Sequence, residues 1–200
     1  MKVALGRPGP VAREVAPNGN TDATSERVRW SPTGAERQLE QMNVELYSDG
    51  SSRGNPGPGG YGTILRYTDP AGDVHERELS QGFRETTNNR MELLGAIAGF
   101  EAVKRPCRID FYSDSQYVVK AFTDDWIFGW LRRGWKNASK QPVKNVDLWK
   151  RLIAATQPHD VTYHWVRGHA GHAENERCDD LATTAADGDN LLVDEGFVGA

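Results

Sequence analysis

Residues 47–62, Tyr-Ser-Asp-Gly-Ser-Ser-Arg-Gly-Asn-Pro-Gly-Pro-Gly-Gly-Tyr-Gly, restrict the folds open to this chain more than any other stretch. Val44 and Leu46 alternate with Glu45 and Tyr47, the period of a half-buried strand. Gly50 through Gly60 read as a turn, because glycine and proline supply turn geometry rather than strand. Asp49 is therefore expected where the first strand ends, with a second strand following over residues 61–67. Taken alone, a plain hairpin would use the same residues, and Asp49 would be an exposed turn former.

The rest of the folded region continues this pattern. A third strand is expected over residues 74–83, completing an antiparallel meander. Leu93, Leu94, Ile97, Phe100 and Val103 recur at helical spacing, which predicts a helix over 89–104 with Asn88 or Thr87 as its cap. Strands over 108–112 and 161–166 alternate with helices over 116–122, 145–155 and 174–186. Such alternation implies a parallel half to the sheet, hence a mixed five-stranded α/β domain.

That domain is placed at residues 42–190, with 191–200 as a short acidic tail. Residues 1–41 are rich in Pro, Gly, Ser, Thr, Asn and charges of both signs without a sustained apolar period, so they read as a disordered extension. Glu14, Asp22 and Glu26 argue against a mitochondrial transit peptide, and Met42 leaves open a start just before the first strand. No apolar run approaches the ~18 residues of a spanning helix, so a cytoplasmic protein without a membrane partner is expected. Lys and Arg number 24 against 28 Asp and Glu, a net charge of −4, so any footprint for nucleic acid must be local. Cys107 and Cys178 form no disulfide framework and read as packed, reduced thiols.

The opening motif Asp-Gly-Ser-x-x-Gly-Asn-Pro-Gly-Pro-Gly-Gly-Tyr-Gly resembles the first hairpin of type 1 ribonuclease H. Three further motifs follow in that family's order: Thr86-Thr87-Asn88-Asn89-Arg90-Met91-Glu92, Ser113-Asp114-Ser115-Gln116-Tyr117, and Gly168-His169-Ala170-Gly171-His172 running into Glu174-Asn175-Glu176-Arg177-Cys178-Asp179. The resemblance covers about residues 43–190. It implies the ribonuclease H-like fold and an endonuclease that hydrolyses the RNA strand of RNA–DNA hybrids, leaving 5′-phosphate and 3′-hydroxyl ends. A monomer is expected.

Phosphodiester hydrolysis needs an activated water, neutralised phosphate charge and a stabilised leaving oxygen, which two divalent cations ~4 Å apart supply together. Asp49, Glu92, Asp114 and Asp179 are the candidate ligands, and oxygen-only donors suit Mg²⁺, with Mn²⁺ as a substitute. Without cations the four would repel one another and raise their own pKa values. Each has a plainer reading: Glu92 at a helix N-terminus, Asp114 as a cap, Asp179 as a solvated helix residue. By resemblance, Asp49 bridges the two ions, Asp179 completes one site, and Glu92 and Asp114 complete the other. Asp180 adjoins Asp179, but neighbours on a helix point ~100° apart, and the motif selects Asp179.

The resemblance also makes His169 a mobile group that assists proton transfer or product departure, while His172 is the alternative packing histidine. It assigns Asn55, Asn88, Gln116 and the backbone of Gly50 to Ser52 to the RNA strand, where the 2′-OH donates and accepts hydrogen bonds. Thr87, Asn89 and Asn145 fall nearer the DNA strand. No acid lies between Trp126 and Val146, whereas Arg132, Arg133, Lys136, Lys140 and Lys144 interleave with Trp126, Trp130 and Trp135. An ordinary solvated face with core tryptophans would look similar; the resemblance favours a protruding basic handle for the DNA strand. Phe128, Leu131 and Gln141 depart from the family's more basic or polar residues there, and Glu85 stands where an arginine often assists the pocket beside Thr87. A non-catalytic hybrid-binding domain and a DNA nuclease or strand-transfer enzyme of the same fold are the rival readings.

Overall fold

The apolar alternation that opens the folded region becomes β1 (Asn43–Ser52), with Val44 and Leu46 buried. A computed structural model describes residues 42–198, so the expected disordered extension at 1–41 lies outside the described residues. After β1 come β2 (Gly57–Thr68), β3 (Val74–Thr86), α1 (Asn88–Ala102), β4 (Arg108–Ser113), α2 (Gln116–Thr123), α3 (Trp126–Arg132), α4 (Val146–Thr156), β5 (Asp160–Trp165) and α5 (Ala173–Ala186). The sheet order is β3-β2-β1-β4-β5, antiparallel from β3 to β1 and parallel from β1 to β5. This is the mixed five-stranded sheet that the alternation of elements predicts.

One expectation is corrected. Gly50 through Gly60 are not turn throughout: Gly50, Ser51 and Ser52 pair with Tyr61, Gly60 and Gly59, and residues 53–56 alone leave the sheet between the two strands. Asp49 is consequently inside β1 rather than at its end. Gly50 and Gly62 serve close approach instead of turning: a Cβ on Gly50 would stand 2.3 Å from the Glu92 amide nitrogen, and one on Gly62 would stand 2.1 Å from the Cys178 carbonyl oxygen. Two helix backbones therefore rest directly on the strands, α1 on one face and α5 on the other.

Leu46, Met91, Leu93, Ile97, Phe100 and Phe111 form the core between the sheet and α1, with the Phe100 and Phe111 rings 5.5 Å apart. Trp149 of α4 is fully buried and meets Trp130 of α3 edge-on at 5.2 Å. On the opposite face, the small buried residues Cys178, Ala182 and Ala186 let α5 settle onto the glycines of β2. Both cysteines are buried thiols outside any disulfide, as their count and spacing suggest. No helix among the described residues is long and apolar enough to cross a membrane.

Two further details differ from the expectation. Helix α3 has no counterpart in the sequence reading; it is a seven-residue segment entered through Asp125 in the left-handed region (φ 58°). The acidic tail is also not a loose end, since Leu192 bridges Phe83 on the edge strand and Asp194 is buried.

The glycine contacts generate a stability prediction. Gly62→Ala forces a methyl group into the α5 backbone and should cost roughly 2–3 kcal/mol, at the upper end of ordinary overpacking. Urea denaturation should show a lower midpoint with an unchanged slope; a midpoint equal to that of the parent protein would contradict the close-approach account.

Candidate active site

The same helix contacts assemble the acidic site. Asp49 lies opposite Gly62 across the β1–β2 pair, and its neighbour Gly50 touches the backbone at Glu92. Gly62 in turn touches the backbone at Cys178, one residue before Asp179. Asp114 follows the last residue of β4, the strand parallel to β1, so it emerges from the same end of the sheet. Four elements thus deliver one acid each to the region around Asp49.

Asp49 is 9% exposed, and its Oδ1 accepts the Gly50 N–H at 2.7 Å. Burial raises its pKa to about 7, aided by Asp114, Asp179 and Glu92 and opposed by the Gly50 hydrogen bond. Glu92 is also pushed up to about 7, first by burial and then by Asp114, although hydrogen bonds from Ser115 and Asn88 oppose the shift. Those bonds are short: Ser115 Oγ donates to Glu92 Oε2 at 2.6 Å, and Asn88 Nδ2 donates to Oε1 at 2.9 Å. The charged groups that act most strongly on Asp49 are acids.

The plainer readings of these acids fare differently. Glu92 is beyond the first turn of α1, which carries no acid, so the helix-dipole reading does not apply. Ser115, not Asp114, caps α2 by accepting the Val118 N–H at 3.2 Å. Asp179 is half-buried while Asp180 is exposed. The hydroxyl of Ser115, which both caps α2 and holds Glu92, is a site contact that the sequence reading missed, although its place in the Ser-Asp-Ser motif was visible.

Among the described residues, no three His, Cys, Asp or Glu side chains converge closely enough to form a ready-made metal site. The Coulombic coupling around Asp49 nevertheless reaches all three other acids. The two observations fit together physically, because Coulomb coupling acts beyond ligation distance and ionised carboxylates repel until a cation compensates them. An all-carboxylate donor set matches hard, oxygen-seeking divalent cations such as Mg²⁺.

Around this centre, Asn55 Oδ1 accepts the Asn88 N–H at 3.3 Å, so Asn55, Asn88, Glu92 and Ser115 form one hydrogen-bonded chain. Gln116 and Asn89 are exposed, and Thr87 is the N-cap residue of α1 without a side-chain cap bond. Asn145 precedes α4 in the left-handed region (φ 56°), donating to the Tyr117 hydroxyl at 3.3 Å rather than capping its helix. His169 is exposed in the β5–α5 loop, and the preceding Gly168 passes so near Asp114 that a Cβ there would stand 2.4 Å from Oδ2. The alternative packing histidine, His172, is exposed as well.

In the basic segment, Arg132, Arg133, Lys136, Lys140 and Lys144 are all exposed. Trp130 belongs to the core, packed on Trp149, which leaves its ring little surface to offer a ligand. Trp126 lies beside it with its ring tilted by 49° and is 36% exposed.

The RNase H family model matches residues 41–187, a span that holds all four acids and the basic segment. The chain belongs to the RNase H family. It is 63% identical over 154 residues to a ribonuclease H of Lachnoclostridium phytofermentans, covering 76% of this chain and 98% of that protein. A ribonuclease H of Syntrophotalea carbinolica is 59% identical over 151 residues, covering 75% of this chain and 95% of its own length. Among solved structures, LC9-RNase H1, a type 1 RNase H with the type 2 active-site motif, superposes with a TM-score of 0.67 at 38% identity over 74% of each chain. The type 1 resemblance of the four motifs is borne out, and the chain is an enzyme of this family.

Clustered acids make stability depend on pH. Asp49 and Glu92 keep their protons in the folded protein up to about pH 7, whereas the unfolded chain releases them near their reference values of 3.8 and 4.5. The folded state therefore binds more protons across that window, and metal-free stability should fall as pH rises from about 4 to about 7. Asp49→Asn removes part of this cost. It should stabilise the metal-free protein by on the order of 2 kcal/mol at pH 8, a gain that fades toward pH 4. Thermal melts in chelator across pH test this, and equal stability of parent and variant at pH 8 would contradict it.

Proposed function

We propose that this enzyme hydrolyses the RNA strand of RNA–DNA hybrids, leaving 5′-phosphate and 3′-hydroxyl ends. The observation that carries the reading is that four separate elements place Asp49, Glu92, Asp114 and Asp179 around one end of the sheet. Asp49, Glu92, Asp114 and Asp179 would hold two Mg²⁺ ions, with Mn²⁺ as a substitute, which supply water activation, phosphate neutralisation and stabilisation of the leaving oxygen.

The chain's own groups account for orientation and selectivity. Ser115 and Asn88 hold the Glu92 carboxylate through its two oxygens, so its position does not depend on substrate. Asn55, Asn88 and Gln116 supply amides that read the RNA 2′-OH as donor and acceptor. Thr87, Asn89 and Asn145 contact the DNA strand, and the exposed cations from Arg132 to Lys144 extend its footprint. At the bond being broken, water oxygen attaches to phosphorus and gives up a proton to solvent, while the bond from phosphorus to the 3′-oxygen breaks and that oxygen takes up a proton to become the hydroxyl; His169 assists this proton transfer or the departure of the product. His169→Ala should slow turnover without abolishing it.

A labelled hybrid, a double-stranded RNA and a double-stranded DNA, each incubated with Mg²⁺ and with chelator, test the assignment. Mg²⁺-dependent cleavage confined to the RNA strand of the hybrid is expected, and Asp49→Asn should abolish it while hybrid binding survives. Cleavage of duplex DNA, or normal cleavage by Asp49→Asn, would overturn the reading. Replacing both Lys136 and Lys140 with Ala should flatten the log–log salt dependence of binding by at most about 2, with the maximal rate little changed.

A further inference from the structure

The C-terminal segment after α5 does more than end the chain. Gln81 and Arg84 of the edge strand β3 donate side-chain hydrogen bonds to the carbonyls of Asn190 and Leu191, at 3.0 and 3.1 Å. Leu192 adds two backbone bonds of 2.9 Å, one to Gly82 and one from Arg84. The strap then delivers Asp194, 8% exposed, to the junction between β3 and α1. Asp194 Oδ2 accepts from Thr86 Oγ1 at 2.7 Å and from Arg90 Nε at 2.6 Å, while Oδ1 accepts from Arg90 Nη2 at 2.7 Å.

Arg90 is only 2% exposed, yet it serves a second carboxylate. Its Nη1 and Nη2 donate to Asp147 at 3.0 and 2.7 Å, and Nη1 also reaches Asn145 Oδ1 at 3.5 Å. The strap backbone lies directly over this fork, since a Cβ on Gly196 would stand 2.0 Å from Asp147 Oδ2 and 2.6 Å from Arg90 Nη2. A planar guanidinium with five fixed donors converts these contacts into a rigid spacer. One side of the spacer is Thr86, the residue before Thr87; the other is Asn145.

We propose that the strap, residues 190–197, is a positioning element that sets the separation of Thr87 and Asn145 to match the phosphate backbone of the hybrid's DNA strand. The inference rests on the functional reading above. Neither Asp194 nor Arg90 touches the substrate; they act through Thr87 and Asn145. Because phosphates along a strand have a fixed spacing, loosening the spacer weakens binding of ground and transition states alike and leaves the reaction at the RNA strand unchanged.

The test uses the full chain with Asp194→Asn and, separately, Thr86→Val, which removes one hydroxyl bond while retaining the ion pair. Steady-state cleavage of a hybrid is measured well below each variant's Tm. A series of hybrids is included in which single DNA-strand phosphates are replaced by neutral methylphosphonates. Asp194→Asn should raise KM about tenfold, the scale of a lost charge-assisted hydrogen bond, with kcat little changed. Thr86→Val should raise KM less. In the parent enzyme one methylphosphonate position should raise KM strongly, and in Asp194→Asn that penalty should largely vanish. A lowered Tm with unchanged KM and an undiminished methylphosphonate penalty would reduce the strap to a stabilising element and overturn the proposal, as would a fall in kcat at constant KM. If Asp194→Asn does not fold, Thr86→Val carries the same comparison and decides it. Failure of the parent enzyme to cleave the hybrid would instead bring down the functional reading itself.

Discussion

Backbone-to-backbone contact between helices and strands is the constraint on which the rest of this structure depends. Gly50 admits α1 at Glu92 and Gly62 admits α5 at Cys178, on opposite faces of the pair that carries Asp49. Any side chain at either position would lift a helix away from the sheet and take an acid with it. The fold and the site are therefore not separable here: the packing that closes the two layers also concentrates negative charge around Asp49.

That concentration is unfavourable by itself. Burial and three neighbouring acids raise the Asp49 pKa to about 7, and Glu92 is displaced similarly even though Ser115 and Asn88 donate to both of its oxygens. An ordinary stabilising core would not retain such groups. A binding site for divalent cations would, because the same repulsion becomes attraction once two positive charges enter. Elsewhere the protein balances charge closely, as with Arg90 between Asp147 and Asp194.

Much of this was legible in the sequence. The strand and helix periods located nine of the ten elements, and four family motifs in order singled out the acids and the amide residues beside them. What was lost shares a cause, since local propensity does not see tertiary contact. Gly50 and Gly60 read as turn residues unless one knows that they pair across the sheet and that helices press on them. Nothing beside Arg90 in the sequence points to Asp194, 104 positions away, as its partner. Helix α3 is too short for a periodic signal, and it begins from a left-handed Asp125 that no preceding pattern announces. Trp130 could be assigned to handle or to core only once Trp149 was seen against it.

The cation site proposed around Asp49 makes a direct demand on stability, because bound ions must offset the repulsion among its acids. The most direct measurement is the shift in melting temperature caused by Mg²⁺ at pH 8, compared between the parent protein and Asp49→Asn without substrate. The account predicts that Mg²⁺ raises the Tm of the parent protein and that the shift is nearly lost in the variant, because ligand binding to the folded state stabilises it by mass action. An identical Mg²⁺ shift in both proteins, or none in the parent, would contradict it.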